Sequence, residues 1–247
     1  MSSIQIDVLP TADAVSDAVA NRMAGAILRT LSENDFAHIC LTGGRGGRGA
    51  MASLAKVPGI DWDRVHVWWS DERFEPTGSD LRNDTEAHEV LLDVVGIPAG
   101  NIHAMGASDQ YDTAGDAADA YVQELASFGG VCPRFCVGIL GLGEDGHVAS
   151  LFPEHAGLRE TRPAFPVFDS PKPPPVRVSM SFDTINHAEE NIIIASGDGK
   201  ADAVGMFVND PGPLALPAAG VRGLSSTSLV VDEAAGVHLP PGLTRHT

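Results

Sequence analysis

Phe135-Cys136-Val137-Gly138-Ile139-Leu140, running into Gly141-Leu142-Gly143-Glu144-Asp145-Gly146-His147-Val148-Ala149-Ser150-Leu151-Phe152-Pro153, is the stretch whose reading decides the fold. The first six residues are apolar without alternation, the pattern of a strand buried on both faces, as in a parallel sheet covered by helices. Gly141, Gly143 and Gly146 then allow a tight turn and a close approach of backbone to a ligand. Asp145 and His147 thereby stand beyond the carboxyl end of a strand, where open α/β sheets take their ligands. An imidazole beside a carboxylate can accept a proton near neutral pH, with the carboxylate fixing its tautomer. Taken alone, Asp-Gly-His also fits a turn with two solvated polar residues, so the rest of the chain has to decide.

Outward from this turn, strands and helices alternate. An edge strand is expected over 4–9, and helical spacing of Val15, Ala18, Val19, Met23, Ile27, Leu28 and Leu31 predicts a helix over 13–31, capped by Thr11 or Asp13. Further strands are read at 36–41, 65–70, 176–180, 191–195 and 227–231. Helices are read from about 50, from a cap within 79–84 to about 95, and over 109–128, 181–187 and 201–208. The pattern predicts an α/β fold with a mostly parallel central sheet flanked by helices. One domain spans 1–247, with 239–247 as a frayed tail. Residues 161–175 are Pro-rich and read as irregular, with Ser170-Pro171-Lys172-Pro173-Pro174-Pro175 stiff and extended.

Acidic residues outnumber basic ones 33 to 16, for a net charge of −17, which argues against nucleic acid and anionic membranes as partners. With so few cations, each one beside the expected pocket carries information. No apolar run approaches membrane-spanning length, and Met1-Ser2-Ser3-Ile4 lacks a basic region leading into an apolar one, so no secretory leader is read. Three cysteines give no disulfide framework. Cys132 and Cys136 have no second ligand pair and read as packing residues, and the cytoplasm is the expected compartment. Glu86, His88 and Glu89 do not make H-E-x-x-H, so no metal is expected there. His66, His88, His103, His155, His187 and His238 belong to no motif.

Other charged residues cluster where strands stop. Gly44, Gly46 and Gly49 satisfy G-x-G-x-x-G between a strand and a helix, and Asp71 falls where an acidic ribose partner would stand, which keeps a nicotinamide-dependent oxidoreductase in view. The less specific reading is an anion site at a helix N-terminus, to which Arg45 and Arg48 either add charge or contribute nothing. Arg73 suits a phosphate or carboxylate fork, with Asp71 to orient it. Lys200 ends the loop after the strand at 191–195. Of Trp68 and Trp69, one is expected in the core and the other at the pocket rim.

Taken together, these clusters resemble the 6-phosphogluconolactonase family over about 13–231. The most specific match is Gly141 to Pro153, followed by Ser170-Pro-Lys-Pro-Pro-Pro-Val-Arg-Val-Ser179 and by Trp69-Ser-Asp-Glu-Arg-Phe74 with Asn83. The resemblance implies a Rossmann-like fold shared with glucosamine-6-phosphate deaminases, no cofactor and no metal. It implies hydrolysis of 6-phospho-D-glucono-1,5-lactone to 6-phosphogluconate in the oxidative pentose phosphate pathway; separately, a monomer is expected. His147 would activate water and Asp145 support it. Gly43, Gly44 or Gly143 would offer backbone donors, Arg73, Arg177 and Lys200 the phosphate site, and Asn83 and Asp71 further substrate contacts. The family's glycine loop continues Gly-Gly-Ser-Thr-Pro, whereas here Arg45-Gly46-Gly47-Arg48 follows Gly44. The rival on the same fold is an amino-sugar-phosphate deaminase or isomerase, which resembles this turn but carries Phe-Asn-Glu-Pro after it, so that Phe152 stands in place of the glutamate. A non-catalytic sugar-phosphate sensor would keep the cations without needing His147.

Overall fold

The computed structural model describes residues 4–242. Its strands are β1 (Gln5–Leu9), β2 (Ala37–Leu41), β3 (Val65–Trp69), β4 (Asp71–Arg73), β5 (Ile102–His103), β6 (Phe135–Gly141), β7 (Ala164–Val167), β8 (Arg177–Met180), β9 (Ala188–Ala195) and β10 (Ser226–Asp232). Its α-helices are α1 (Ala12–Glu33), α2 (Gly44–Leu54), α3 (Asn83–Ala87), α4 (Asp93–Val95), α5 (Ala114–Ala126), α6 (Phe182–Ile185) and α7 (Ala201–Val208). Seven strands form a parallel sheet in the order β1-β10-β9-β6-β2-β3-β5, and β4-β8-β7 form a small antiparallel one.

The large sheet is buried on both faces, which is why its strands are apolar without alternation. On one face Val19, Met23 and Ile27 of α1 and Met51 and Leu54 of α2 pack on Ile39, Val67 and Trp69. On the other, Tyr121 and Leu125 of α5 and Val204 of α7 join Trp68, Phe135 and Leu140. Each such side chain contributes about 1.5–3 kcal/mol on burial. Trp68 and Trp69 are both fully buried, on opposite faces as neighbours in a strand must be, so neither stands at a pocket rim.

The expected helices are present, with Thr11 Oγ1 capping α1 by accepting from Ala14 N–H at 3.2 Å. The edge strand at the amino end and the helix at 201–208 also stand as read. Three small strands were not anticipated: β4, β5 and β7. The helix expected from about 50 begins at Gly44, with the glycines inside its first turns. A Cβ at Gly47 would come within 2.2 Å of Thr42 O, and one at Gly49 within 2.3 Å of Ser16 Oγ, so glycine lets α2 close onto the end of β2 and onto α1. The helix read from a cap within 79–84 starts instead at Asn83, passes through a π-helical turn over His88–Leu92, and ends at Gly96 in the left-handed region (φ 72°). Helix α5 starts at Ala114 behind the Thr113 cap, later than read.

Residues 170–175 form a closed loop between β7 and β8, not an extended rod. Ser170 N–H donates to Pro175 O at 3.0 Å, and the Arg177 guanidinium gathers the carbonyls of Lys172, Pro173 and Pro174. The two sheets join at Ser70, whose N–H donates to Leu41 O and whose carbonyl accepts from Met180 N–H. That joint turns β4 and β8 across the carboxyl ends of β2 and β6.

Candidate active site

From β2 the chain moves to β3 on one side, and from β6 to β9 and β10 on the other, so the winding reverses between β2 and β6. Open α/β sheets bind ligands at such a reversal, and a cleft of about 350 Å³ lies there. Gly43 after β2 and Gly143 after β6 line it, together with Gly44, Asp71, Arg73, Asn83, His147, Arg177 and Lys200. Asp145 stands behind His147.

The turn after β6 is built for its histidine. Gly143 N–H donates to His147 O at 2.8 Å and Gly146 N–H to Gly143 O at 3.0 Å, with Gly146 in the left-handed region (φ 81°). The imidazole folds back over Gly143, where a Cβ would sit 1.9 Å from His147 Nδ1 and 2.6 Å from Asp145 Oδ1. Gly143→Ala is therefore expected to displace the imidazole and lower kcat about 10- to 100-fold, with little change in thermal stability. Steady-state kinetics beside a melting curve would separate the two effects.

His147 Nδ1 lies 2.5 Å from Asp145 Oδ1. A carboxylate only accepts, so Nδ1 carries the proton and Nε2 presents its lone pair. Burial pushes the Asp145 carboxyl up, but the His147 hydrogen bond and charge and the Lys172 ammonium outweigh it and hold the group well below the usual carboxylate range. Phe152, fully buried, packs against the imidazole with ring centroids 4.8 Å apart. Ala149 is held in the left-handed region (φ 49°), which costs about 1–2 kcal/mol. The following Ser150 Oγ donates to Asp71 Oδ2 at 2.6 Å.

Asp71 does not orient Arg73. Its Oδ2 accepts from Ser150 and lies 3.8 Å from Arg177 Nη1, so Arg177 is the cation it steadies. Burial pushes the Arg177 guanidinium down, Asp71 counters, and Arg73 adds to the depression. Arg73 faces Arg177 across the β4–β8 ladder. It donates from Nη1 to Leu81 O, while its buried Nε has no hydrogen-bond partner among the described residues. Beneath them, the fully buried Glu72 accepts from the backbone N–H groups of Arg73, Asn83 and Asp84 at 2.8–2.9 Å. Asn83 Nδ2 donates to Asp71 O, and its Oδ1 lies where a Gly43 side chain would begin, 1.9 Å from that Cβ position.

Lys200 is carried by a loop pinned through Asp232, whose carboxylate accepts from Gly197 N–H and Ala235 N–H. Burial pushes its ammonium down; Glu144 opposes this, while Lys172 and Arg45 reinforce it. Arg45 lines the rim of the cleft, whereas Arg48 is paired with Glu86 and Glu89. Of the proposed backbone donors, Gly143 N–H is engaged by His147 O and Gly44 N–H faces Glu86, which leaves Gly43 N–H without an acceptor among the described residues. The dinucleotide fingerprint dissolves: Gly44 starts α2 in the left-handed region (φ 75°), Gly46 packs on Ile194 of β9 and Gly49 on Ser16 of α1, and Asp71 is committed to Ser150 and Arg177.

Sequence reasoning did not single out Lys172, Ser150 or Glu72. Lys172 sits inside a quoted motif, and a lone lysine among prolines in so acidic a chain was the signal available. Among the described residues no cluster suited to a metal ion is present, and no helix is long and apolar enough to cross a membrane.

The family model for glucosamine-6-phosphate isomerases/6-phosphogluconolactonase matches residues 10–230. The chain belongs to that family. It is 44% identical to the 6-phosphogluconolactonase of Streptomyces coelicolor over 240 residues, covering 93% of this chain and 92% of that one. It is 40% identical to the 6-phosphogluconolactonase of Mycobacterium tuberculosis over 246 residues, covering 96% and 99%. Among solved structures, the Thermotoga maritima 6-phosphogluconolactonase superposes with a TM-score of 0.82 at 29% identity, over 94% of this chain and all of that one. A monomeric glucosamine-6-phosphate deaminase aligns with a TM-score of 0.80 at 16% identity over 95% of this chain, a likeness of fold. Against the His147 imidazole this chain sets the Phe152 ring, not a carboxylate.

Proposed function

We propose that this chain hydrolyses 6-phospho-D-glucono-1,5-lactone to 6-phospho-D-gluconate. The observation that carries the reading is His147, tied by Nδ1–H to an ionised Asp145 and presenting Nε2 to a cleft edged with cations. Nε2 accepts a proton as water attacks C1, and the resulting imidazolium returns it to the ring oxygen as the C1–O bond breaks. Asp145 fixes the tautomer and offsets the charge on the ring. Gly43 N–H is the backbone donor placed for the developing oxyanion. Arg73, with its unpartnered Nε, and Lys200 hold the phosphate, Arg177 adds charge beside them, and Asn83 and Asp71 set the wall on which they stand.

Phe152 favours hydrolysis over deamination, because the position that supplies a carboxylate for proton shuttling in the deaminase pattern is here an apolar ring. Two substrates separate the readings. Freshly prepared 6-phosphogluconolactone is expected to disappear faster with the protein present, and glucosamine 6-phosphate to release no ammonia. Ammonia release without lactone loss would replace this proposal by the deaminase.

Arg73→Ala is expected to raise KM for the phosphorylated lactone about tenfold or more, the weight of a charge-assisted hydrogen bond, with kcat little changed. Unphosphorylated gluconolactone should be hydrolysed equally by both proteins, and an equal loss on both substrates would move Arg73 out of the phosphate site. We further infer a cytoplasmic monomer, since the three cysteines are free and buried and His147, Arg73, Arg177 and Lys200 line one cleft of a single chain.

A further inference from the structure

Asp145 serves an imidazole and an ammonium with one oxygen. Its Oδ1 accepts from His147 Nδ1 at 2.5 Å and lies 3.6 Å from Lys172 Nζ. An exposed lysine beside a carboxylate is ordinarily of little weight, and the Lys172 side chain is 40% exposed. Its backbone, however, is fixed. Lys172 O accepts from Ser170 Oγ at 2.8 Å and from Arg177 Nη2 at 2.9 Å, and Arg177 also holds Pro173 O and Pro174 O. The guanidinium straps the loop down, and the strap holds the ammonium beside the oxygen that the imidazole uses.

We propose that Lys172 is a positioning residue for the hydrolysis: its ammonium, sharing Asp145 Oδ1 with the imidazole, keeps His147 in its neutral, proton-accepting form. A histidine paired with a carboxylate alone is drawn toward imidazolium, which is useless for activating water. A second cation on the same oxygen offsets that pull and disfavours a further positive charge nearby. It equally favours return of the proton to the leaving ring oxygen in the second half of the reaction. Other charges facing the pair are Lys200 from the loop after β9, with Glu144 opposing it, and Arg177, separated from the imidazole by the Phe152 ring at 5.6 Å. His155 lies beyond the same ring. Among these, Lys172 has the direct contact with Asp145.

This inference rests on the lactonase reading for its kinetic test but not for its spectroscopic one. Lys172→Met and Lys172→Arg should be compared with the unaltered protein. In Lys172→Met the acid limb of kcat/KM against pH is expected to move upward by about half a unit or more, on both the phosphorylated and the unphosphorylated lactone. Lys172→Arg should restore it. NMR titration of the His147 ring, which needs no turnover, should show the same displacement. A raised KM confined to the phosphorylated substrate, with the limb and the ring titration unmoved, would make Lys172 a phosphate ligand and overturn the proposal. A lowered melting temperature with both unmoved would make it merely structural and overturn it too. Absence of lactonase activity in the unaltered protein would remove the proposed function while leaving the ring titration to decide the role of Lys172.

Discussion

His147→Ala is expected to lower kcat on 6-phosphogluconolactone about 10²- to 10⁴-fold, the range that a positioned general acid–base supplies, with KM changed little. The imidazole lines the open cleft, so its removal enlarges that cleft, and among the described residues its one polar side-chain partner is Asp145. The fold should therefore survive, and a circular-dichroism melt within a few degrees of the unaltered protein would confirm that the loss is chemical. Asp145 would lose its main hydrogen-bond donor and keep the backbone N–H of residue 147 and the Lys172 ammonium close by. A parallel rise in KM would instead mean that the ring chiefly binds substrate.

Glu72→Ala carries the largest expected effect on stability. Its carboxylate gathers the backbone N–H of Arg73 in β4 and those of Asn83 and Asp84 at the start of α3, and lies 3.9 Å from the equally buried Arg82. Burial and Asp84 push the group up, and Arg82 and the amides hold it back. Removing it leaves those amides without an acceptor in the interior, which is expected to cost about 3–5 kcal/mol. A melting temperature lower by on the order of 10 °C would follow for a chain of this length. Glu72→Gln keeps one accepting oxygen but aims two N–H groups at other donors, and should fall between. Because Arg73 and Asn83 hang on this carboxylate, both variants should also weaken substrate binding before they unfold. A melting temperature unchanged in Glu72→Ala would show that water replaces the carboxylate, and would loosen the assignment of Arg73 to a fixed wall.

What the sequence makes legible depends on how local the cause is. Strand β6 and its turn are read directly, because burial on both faces needs an unbroken apolar run and the turn needs its glycines. Asp145 and His147 are two residues apart, so their pairing follows from the chain itself. Strands β4, β5 and β7 span three, two and four residues, too short for any periodicity to register. The charges of Asp71-Glu72-Arg73 look like a loop because that strand turns into the cleft. Helix α2 starts earlier than its composition suggests, since Gly46 and Gly49 answer to Ile194 and Ser16, neighbours brought close only by folding. The prolines at 171 and 173–175 do suggest a rod, and Arg177 overrides them by collecting three carbonyls. Lys172 and Glu72 went unremarked for the same reason: the groups they serve lie far away in sequence.

The central claim is that His147 activates water for lactone opening, and one coupled assay tests it most directly. Glucose 6-phosphate is oxidised to fresh lactone, and 6-phosphogluconate dehydrogenase reports the product, with the unaltered protein, His147→Ala or neither added. The account predicts product formation well above the spontaneous rate with the unaltered protein, and a rate indistinguishable from the spontaneous one with the variant. Equal acceleration by folded His147→Ala would contradict it.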